Sequence, residues 1–174
     1  MTKITFLSLS YNTITRIIFK SIINLTKLTH LDPQTNMITS RILISLPNLG
    51  QLTYLYLQSN MLISCMLVGL INLSNVSSLD LTSNRIIGSI PKSITNLRKI
   101  ESLYLSNNNL INTTLRAIGN IHSLKDLHLD SNKFTKHIPY RICQLKALIR
   151  LKTYNNIFVA IFLIILMVWF HLTY

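Results

Sequence analysis

Asp126, His128 and Asp130 alternate along the chain. In an extended segment alternate side chains share a face, so two carboxylates and an imidazole look the same way. These are zinc-ligand types. Alternate strand residues stand about 6.6 Å apart, however, which is too wide for one ion to reach all three. Arg150 and Lys152 follow Asp126 and His128 at equal separations and are placed to pair with Asp126 and Asp130. No metal site is expected. A second constellation is Tyr54, Tyr56 and Tyr104, with Asp80 between them. Tyrosines on a rigid surface offer large contact area at low entropy cost. Together with Asp126 and His128 they form a candidate ligand strip. The same tyrosines also suit a plain role as cross-strand neighbours that stabilise a sheet. Both roles are open on position alone.

Catalytic patterns are missing. The chain has no Gly-rich phosphate loop, no GxSxG, and no kinase lysine, HRD or DFG element. The expectation is a protein that is not an enzyme and needs no cofactor.

What must position the strip is a repeat. Asparagine returns at one fixed interval, at Asn12, Asn36, Asn60, Asn84, Asn108, Asn132 and Asn156. Five residues before each stand Leu7, Leu31, Leu55, Leu79, Leu103, Leu127 and Leu151. Eight before stand Ile4, Leu28, Leu52, Val76, Ile100, Leu124 and Leu148, and two after stand Ile14, Ile38, Leu62, Ile86, Leu110, Phe134 and Phe158. Seven copies at one spacing mark a solenoid, a single extended array built for surface recognition. The alternating Leu-x-Leu is a short strand with one buried face, which neighbouring rungs must cover. The Asn amide carries two donors and an acceptor. A buried column of such amides satisfies backbone groups left free where each strand turns off the sheet.

Each copy reads LxxLxLxxNxL, as in residues 124–134. The pattern resembles the leucine-rich repeat over nearly the whole chain. Gly88-Ser89-Ile90-Pro91 with Ile94 and Leu97, and Ile138-Pro139 with Ile142 and Leu145, make it similar to the plant-type class, LxxLxLxxNxLxGxIPxxIxxLxx. The resemblance implies an α/β repeat fold: about seven 24-residue rungs over residues 1–156, a concave parallel sheet, and 3₁₀ or helical turns on the convex side. It also implies a receptor-like function, that of receptor-like proteins and receptor-like kinase ectodomains, with a peptide or protein ligand on the concave face. Pro33 replaces the second strand leucine of repeat two and cannot donate a ladder bond, so that rung is expected to be locally broken.

The formal net charge is +12. Its distribution argues against nucleic acid. All five acids, Asp32, Asp80, Glu101, Asp126 and Asp130, occupy positions toward the concave surface, with only Lys125, Arg150 and Lys152 of the 17 basic residues. No basic stripe with interleaved aromatics is present. Cys65 and Cys143 lie three rungs apart, about 14 Å, which is beyond disulfide reach, and read as reduced thiols.

The two ends depart from the repeat. Ile4, Leu7 and Leu9 are core positions with no rung before them, and no signal peptide pattern opens the chain. Residues 157–174 form a separate apolar segment, with 14 uninterrupted apolar residues over 157–170. Apolar on every side, it predicts a helix that leaves the repeat path at Asn155-Asn156, a candidate transmembrane anchor of a single-pass membrane protein. Fourteen helical residues span only about 21 Å. Arg150 and Lys152 precede the segment, which favours a cytoplasmic side for the repeats and a cytosolic scaffold as second reading. A truncated gene product without independent function is the third. Sequons stand at Asn24, Asn72, Asn75 and Asn112, candidate glycosylation sites that an Asn-rich repeat also generates by chance.

Overall fold

A computed structural model describes residues 3–15, 22, 24–39, 49–63, 73–111 and 115–158. Its organising element is a seven-stranded parallel sheet. The strands are β1 (Phe6–Ser8), β2 (His30–Asp32), β3 (Tyr54–Tyr56), β4 (Ser78–Asp80), β6 (Ser102–Tyr104), β8 (Asp126–His128) and β10 (Arg150–Lys152). Each is three residues long because the Leu-x-Leu alternation lasts only that far. They pair in that order at one constant offset, the length of the repeat, so Leu55, Leu79, Leu103 and Leu127 stand in one file. This is the leucine-rich repeat solenoid with its parallel sheet.

The leucines of that file are wholly buried. Leu28, Leu52, Val76, Ile100 and Leu124 form a second file, and Ile38, Leu62, Ile86, Leu110 and Phe134 a third. One continuous core therefore runs the length of the array. Burial falls off at the outer rungs. Ile4 is exposed, while Leu7 and Leu151 are partly buried, since among the described residues each has strand neighbours on one side only.

The asparagines bridge rungs. Each Oδ1 accepts the N–H of a residue two past the previous Asn: Ile38 to Asn60 (3.1 Å), Leu62 to Asn84 (3.1 Å), Ile86 to Asn108 (3.0 Å). Each Nδ2 donates back to a carbonyl of the previous rung: Asn60 to Pro33 (3.0 Å), Asn84 to Leu57 (3.0 Å), Asn108 to Leu81 (2.9 Å). Asn36, Asn132 and Asn156 repeat the pattern. Asn12 bonds only carbonyls of its own turn, Leu9 and Ser10, among the described residues. The residue before each of these asparagines takes a left-handed backbone: Tyr11, Thr35, Ser59, Ser83, Asn107, Ser131 and Asn155, all with φ between 50° and 56°.

Past the Asn turn the sequence reading placed only turns. The structure adds short parallel strands: β5 (Ile87–Gly88) pairs with β7 (Asn109–Leu110), and β9 (Thr135–Lys136) with β11 (Ile157–Phe158). A bridge between Ile111 and Lys133 lies between them. The offset here is shorter than in the main sheet, Ile87 pairing with Asn109, because the chain slants as it leaves the sheet. Gly88 sits at φ 88°, in the region that favours glycine. On the convex side lie 3₁₀ turns at Lys92–Asn96 and Tyr140–Gln144 and one helical turn, α1 (Leu115–Ile118). Pro91 and Pro139 precede the 3₁₀ turns, where a fixed φ and a missing N–H cost little.

Two expectations are corrected. Pro33 does not break its rung. β2 pairs on both sides, and the loss is one ladder position: two residue pairs join β2 to β3 where its neighbours join by three. The carbonyl of Pro33 still accepts from Asn36 and Asn60. Nor does a helix begin at Ile157. Asn156 continues the ladder, and Ile157 and Phe158 continue the second strand series, with Phe158 stacked on Phe134 at 6.0 Å. Residues 159–174 lie outside the described residues, as does Cys65. Among the described residues no helix is long and apolar enough to cross a membrane.

Asn84→Ala strands the Leu62 N–H in the core, at about 1–3 kcal/mol, while the Leu57 carbonyl keeps the Asn60 amide as donor. Urea denaturation is expected to show a loss of about 2 kcal/mol. Asn12→Ala, exposed and bridging no earlier rung, should lose less than about 1 kcal/mol. Thr35 is β-branched at φ 50°. Thr35→Asn should stabilise the chain by about 0.5–1 kcal/mol in the same experiment, since Asn tolerates that conformation. An unchanged midpoint would show that the turn is not strained.

Candidate functional site

Between the buried leucines, the strand residues on either side project from the sheet. With 24-residue register they stack into columns. One column reads Phe6, His30, Tyr54, Ser78, Ser102, Asp126, Arg150; the next reads Ser8, Asp32, Tyr56, Asp80, Tyr104, His128, Lys152. The fold thus places Tyr54, Tyr56, Asp80, Tyr104, Asp126 and His128 on one face.

They fall into two groups. In the first, Phe6, His30 and Tyr54 form an aromatic row, with ring centroids 5.8 Å and 4.3 Å apart, and Tyr56 joins it 6.3 Å from Tyr54. His30, the middle of that row, was not singled out from the sequence. Its signal was present, since it shares the 24-residue column of Tyr54. In the second, Tyr104 meets His128 at 4.7 Å. Asp80 lies between the groups, in register with Tyr56 on one side and Tyr104 on the other.

The acids differ sharply in their partners. Arg150 makes a two-pronged ion pair with Asp126, which Ser102 also bonds. The hydrogen bond from Arg150 holds the Asp126 carboxyl below the usual carboxylate range and the Arg150 guanidinium above its own. Glu101 takes Lys125 at 2.9 Å. Asp32 receives Ser8 and Gln34. Asp130 receives Ser106 at 2.6 Å and a hydrogen bond from Tyr154, whose hydroxyl pKa rises in consequence. The expected pairing of Lys152 with Asp130 is not formed. Among the described residues Asp80 bonds only Thr82, just beyond it in the chain, and burial pushes its carboxyl up.

In the Asp126–His128–Asp130 constellation both carboxylates are therefore engaged with protein groups. Among the described residues no cluster of His, Cys, Asp and Glu could hold a metal ion. His128 is held below its ordinary pKa by burial first and by Lys152 second. Its Nε2 is shut off from solvent with no hydrogen-bond partner among the described residues, and so is Gln58 Oε1. Both belong to the concave face. Of the sequons, Asn24 is exposed. The Asn75 amide nitrogen donates to the Gly50 carbonyl at 2.7 Å. Asn72 and Asn112 lie outside the described residues.

The leucine rich repeat family model matches residues 51–110 and 74–134. A search of curated proteins found no match. Among solved structures, the chain superposes on the LRR ectodomain of the plant membrane receptor kinase GASSHO1/SCHENGEN3 from Arabidopsis thaliana, in complex with CASPARIAN STRIP INTEGRITY FACTOR 2. There the TM-score is 0.83 and the identity 30%, over 88% of this chain and 18% of that one. It superposes equally on the Arabidopsis receptor kinase HAESA, in complex with the peptide hormone IDA and a co-receptor, with TM-score 0.83 and 29% identity, over 88% and 26%. An internalin from Listeria monocytogenes matches at TM-score 0.69 and 32% identity, over 80% and 38%. The chain spans well under half the length of each of these three proteins.

The opposite states of Asp80 and Asp126 give opposite pH signatures. The depressed Asp126 pKa contributes stability that is present above the unfolded value of about 3.9 and lost as pH falls through the folded one. The raised Asp80 pKa is a cost that appears as pH rises through the same region. At pH 7, Asp126→Asn should lower the thermal midpoint and Asp80→Asn should raise it. Both differences should shrink toward zero near pH 2. Shifts of the same sign at pH 7 would contradict the assignment.

Proposed function

As a leucine-rich repeat protein of the plant type, the chain acts, we propose, as a non-enzymatic recognition module that binds a peptide or protein along its concave face. The observation that carries this reading is the unbroken seven-strand sheet, whose outward columns gather aromatic rings and three of the five acids, Asp32, Asp80 and Asp126, on one rigid surface. The likeness to ectodomains solved with a peptide hormone, and with CASPARIAN STRIP INTEGRITY FACTOR 2, supports it. Tyr54, Tyr56, Asp80, Tyr104, Asp126 and His128 remain the proposed strip, now with unequal parts. Tyr56, Tyr104 and Asp80 have capacity left for a ligand, while the unpartnered Nε2 of His128 is shut off from solvent. Tyr54 is stacked on His30, and Asp126 is neutralised by Arg150.

The reading includes a membrane location, in line with the receptor ectodomains, with the apolar segment after Phe158 as its proposed anchor. Asn24 is the favoured glycosylation site of the two described sequons, because its side chain is exposed while the Asn75 amide is occupied.

Peptides selected from a random display library against the full chain in mild detergent provide the test. Tyr56→Ala with Tyr104→Ala should weaken a selected binder by at least about tenfold, or roughly 1.4 kcal/mol, with the thermal midpoint nearly unchanged. Undiminished affinity would move the site off the concave face. A large fall in thermal midpoint would make the tyrosines structural.

A further inference from the structure

In a chain with 17 basic residues, Asp80 is flanked by aromatic rings and, among the described residues, forms no ion pair with Lys or Arg. The other four acids each receive a side chain from a neighbouring rung or, for Asp32, from Gln34 and Ser8 together. Among the described residues Asp80 receives only Thr82. Its register neighbours are Tyr56 one rung before and Tyr104 one rung after. Tyr104 leans on His128 in the following rung and Tyr56 on Tyr54 in its own, so among the described residues the two rings are not stacked on each other across Asp80.

From this placement we infer that Tyr56, Asp80 and Tyr104 form a receptor for one cationic side chain, an arginine of the bound peptide or protein. The inference rests on the concave-face reading and narrows its ligand. Strands two rungs apart are separated by roughly 9–10 Å, so a cation above Asp80 lies about 5 Å from each flanking strand. An aromatic face attracts a cation within roughly 6 Å of its ring centroid, a range that the Tyr56 and Tyr104 rings meet where they stand above those strands. A guanidinium suits the slot better than an ammonium, because it is planar, weakly hydrated, able to stack on both rings and able to bond a carboxylate with two N–H groups. The partly buried carboxylate gains from such a partner, since burial leaves its charge poorly solvated and Thr82 and the nearby His128 offset that only in part. The net charge of +12 does not forbid this. Charges are screened beyond about 8 Å at physiological salt, and three of the chain's five acids stand in these two columns.

The probe is N-acetyl-arginine methylamide, titrated at about 0.15 M salt into the full chain carrying ¹³C-labelled tyrosine and aspartate. Saturable shifts are expected in the Tyr56 and Tyr104 rings and the Asp80 carboxyl, with N-acetyl-norleucine methylamide producing none. Asp80→Asn should weaken the arginine probe at least fivefold while Asp32→Asn, whose carboxylate is already engaged, leaves it unchanged. Circular dichroism of both variants checks the fold. Tyr56→Phe with Tyr104→Phe keeps the ring faces and should retain binding even if the alanine variants unfold. Arginine binding without shifts at these three residues, or no saturable binding, overturns the cation receptor. Concave-face recognition stands or falls separately, on the library-selected peptides and the tyrosine double variant. A selected peptide that needs both tyrosines yet binds Asp80→Asn as tightly as the parent would sink this inference and spare that one.

Discussion

A backbone that turns out of a parallel sheet inside a core must find partners for groups that water cannot reach, and here a single amide per rung does it. Each ladder asparagine accepts one N–H and donates to a carbonyl of the previous rung, so neighbouring rungs are tied at the point where their paths would otherwise diverge. An unpartnered buried polar group costs about 1–3 kcal/mol, so a shift of register by one residue would expose the array to that cost at every turn. The left-handed residue before each asparagine is part of the same device, since it swings the amide inward.

Strict register has a consequence for the surface. Because rungs repeat at a fixed offset, every outward strand position becomes a column of neighbours about 4.8 Å apart. Rings then stack without any local motif to announce it, as Phe6, His30 and Tyr54 do, and charges meet partners a whole rung away, as Asp126 meets Arg150. The concave face is thereby sorted into groups that are satisfied by their neighbours and groups that are not. Asp80, with no ion-pair partner, and His128 belong to the second kind among the described residues.

The repeat tolerates local faults because its cohesion is shared. Pro33 removes one donor, yet the rung survives on its remaining strand bonds, its Asn bridges and its buried leucine. The apolar character of the segment beginning at Ile157 argued for a helix, but Asn156 and Phe158 answer to the rung before them. The pairing with Thr135 and Lys136 and the stack on Phe134 outweigh what side-chain hydropathy alone favours at those two positions.

Much of this architecture is legible in the chain as written. The regular spacing of Asn and Leu dictates strand order, register, the three apolar files and the Asn column, because in a solenoid every contact of consequence joins residues one period apart. It likewise dictates that Tyr56, Asp80 and Tyr104 share a face. The short strands beyond the turn were not legible, since their shorter offset follows from the slant of the backbone and not from the leucine phase. Nor was the left-handed position, which holds Tyr, Thr, Ser or Asn and so carries no fixed residue type to read. Which acid is paired and which is bare was decided only by folding. Sequence places side chains in a column, but whether two of them touch depends on rotamers and reach, and these are fixed only when the neighbouring rung closes around them.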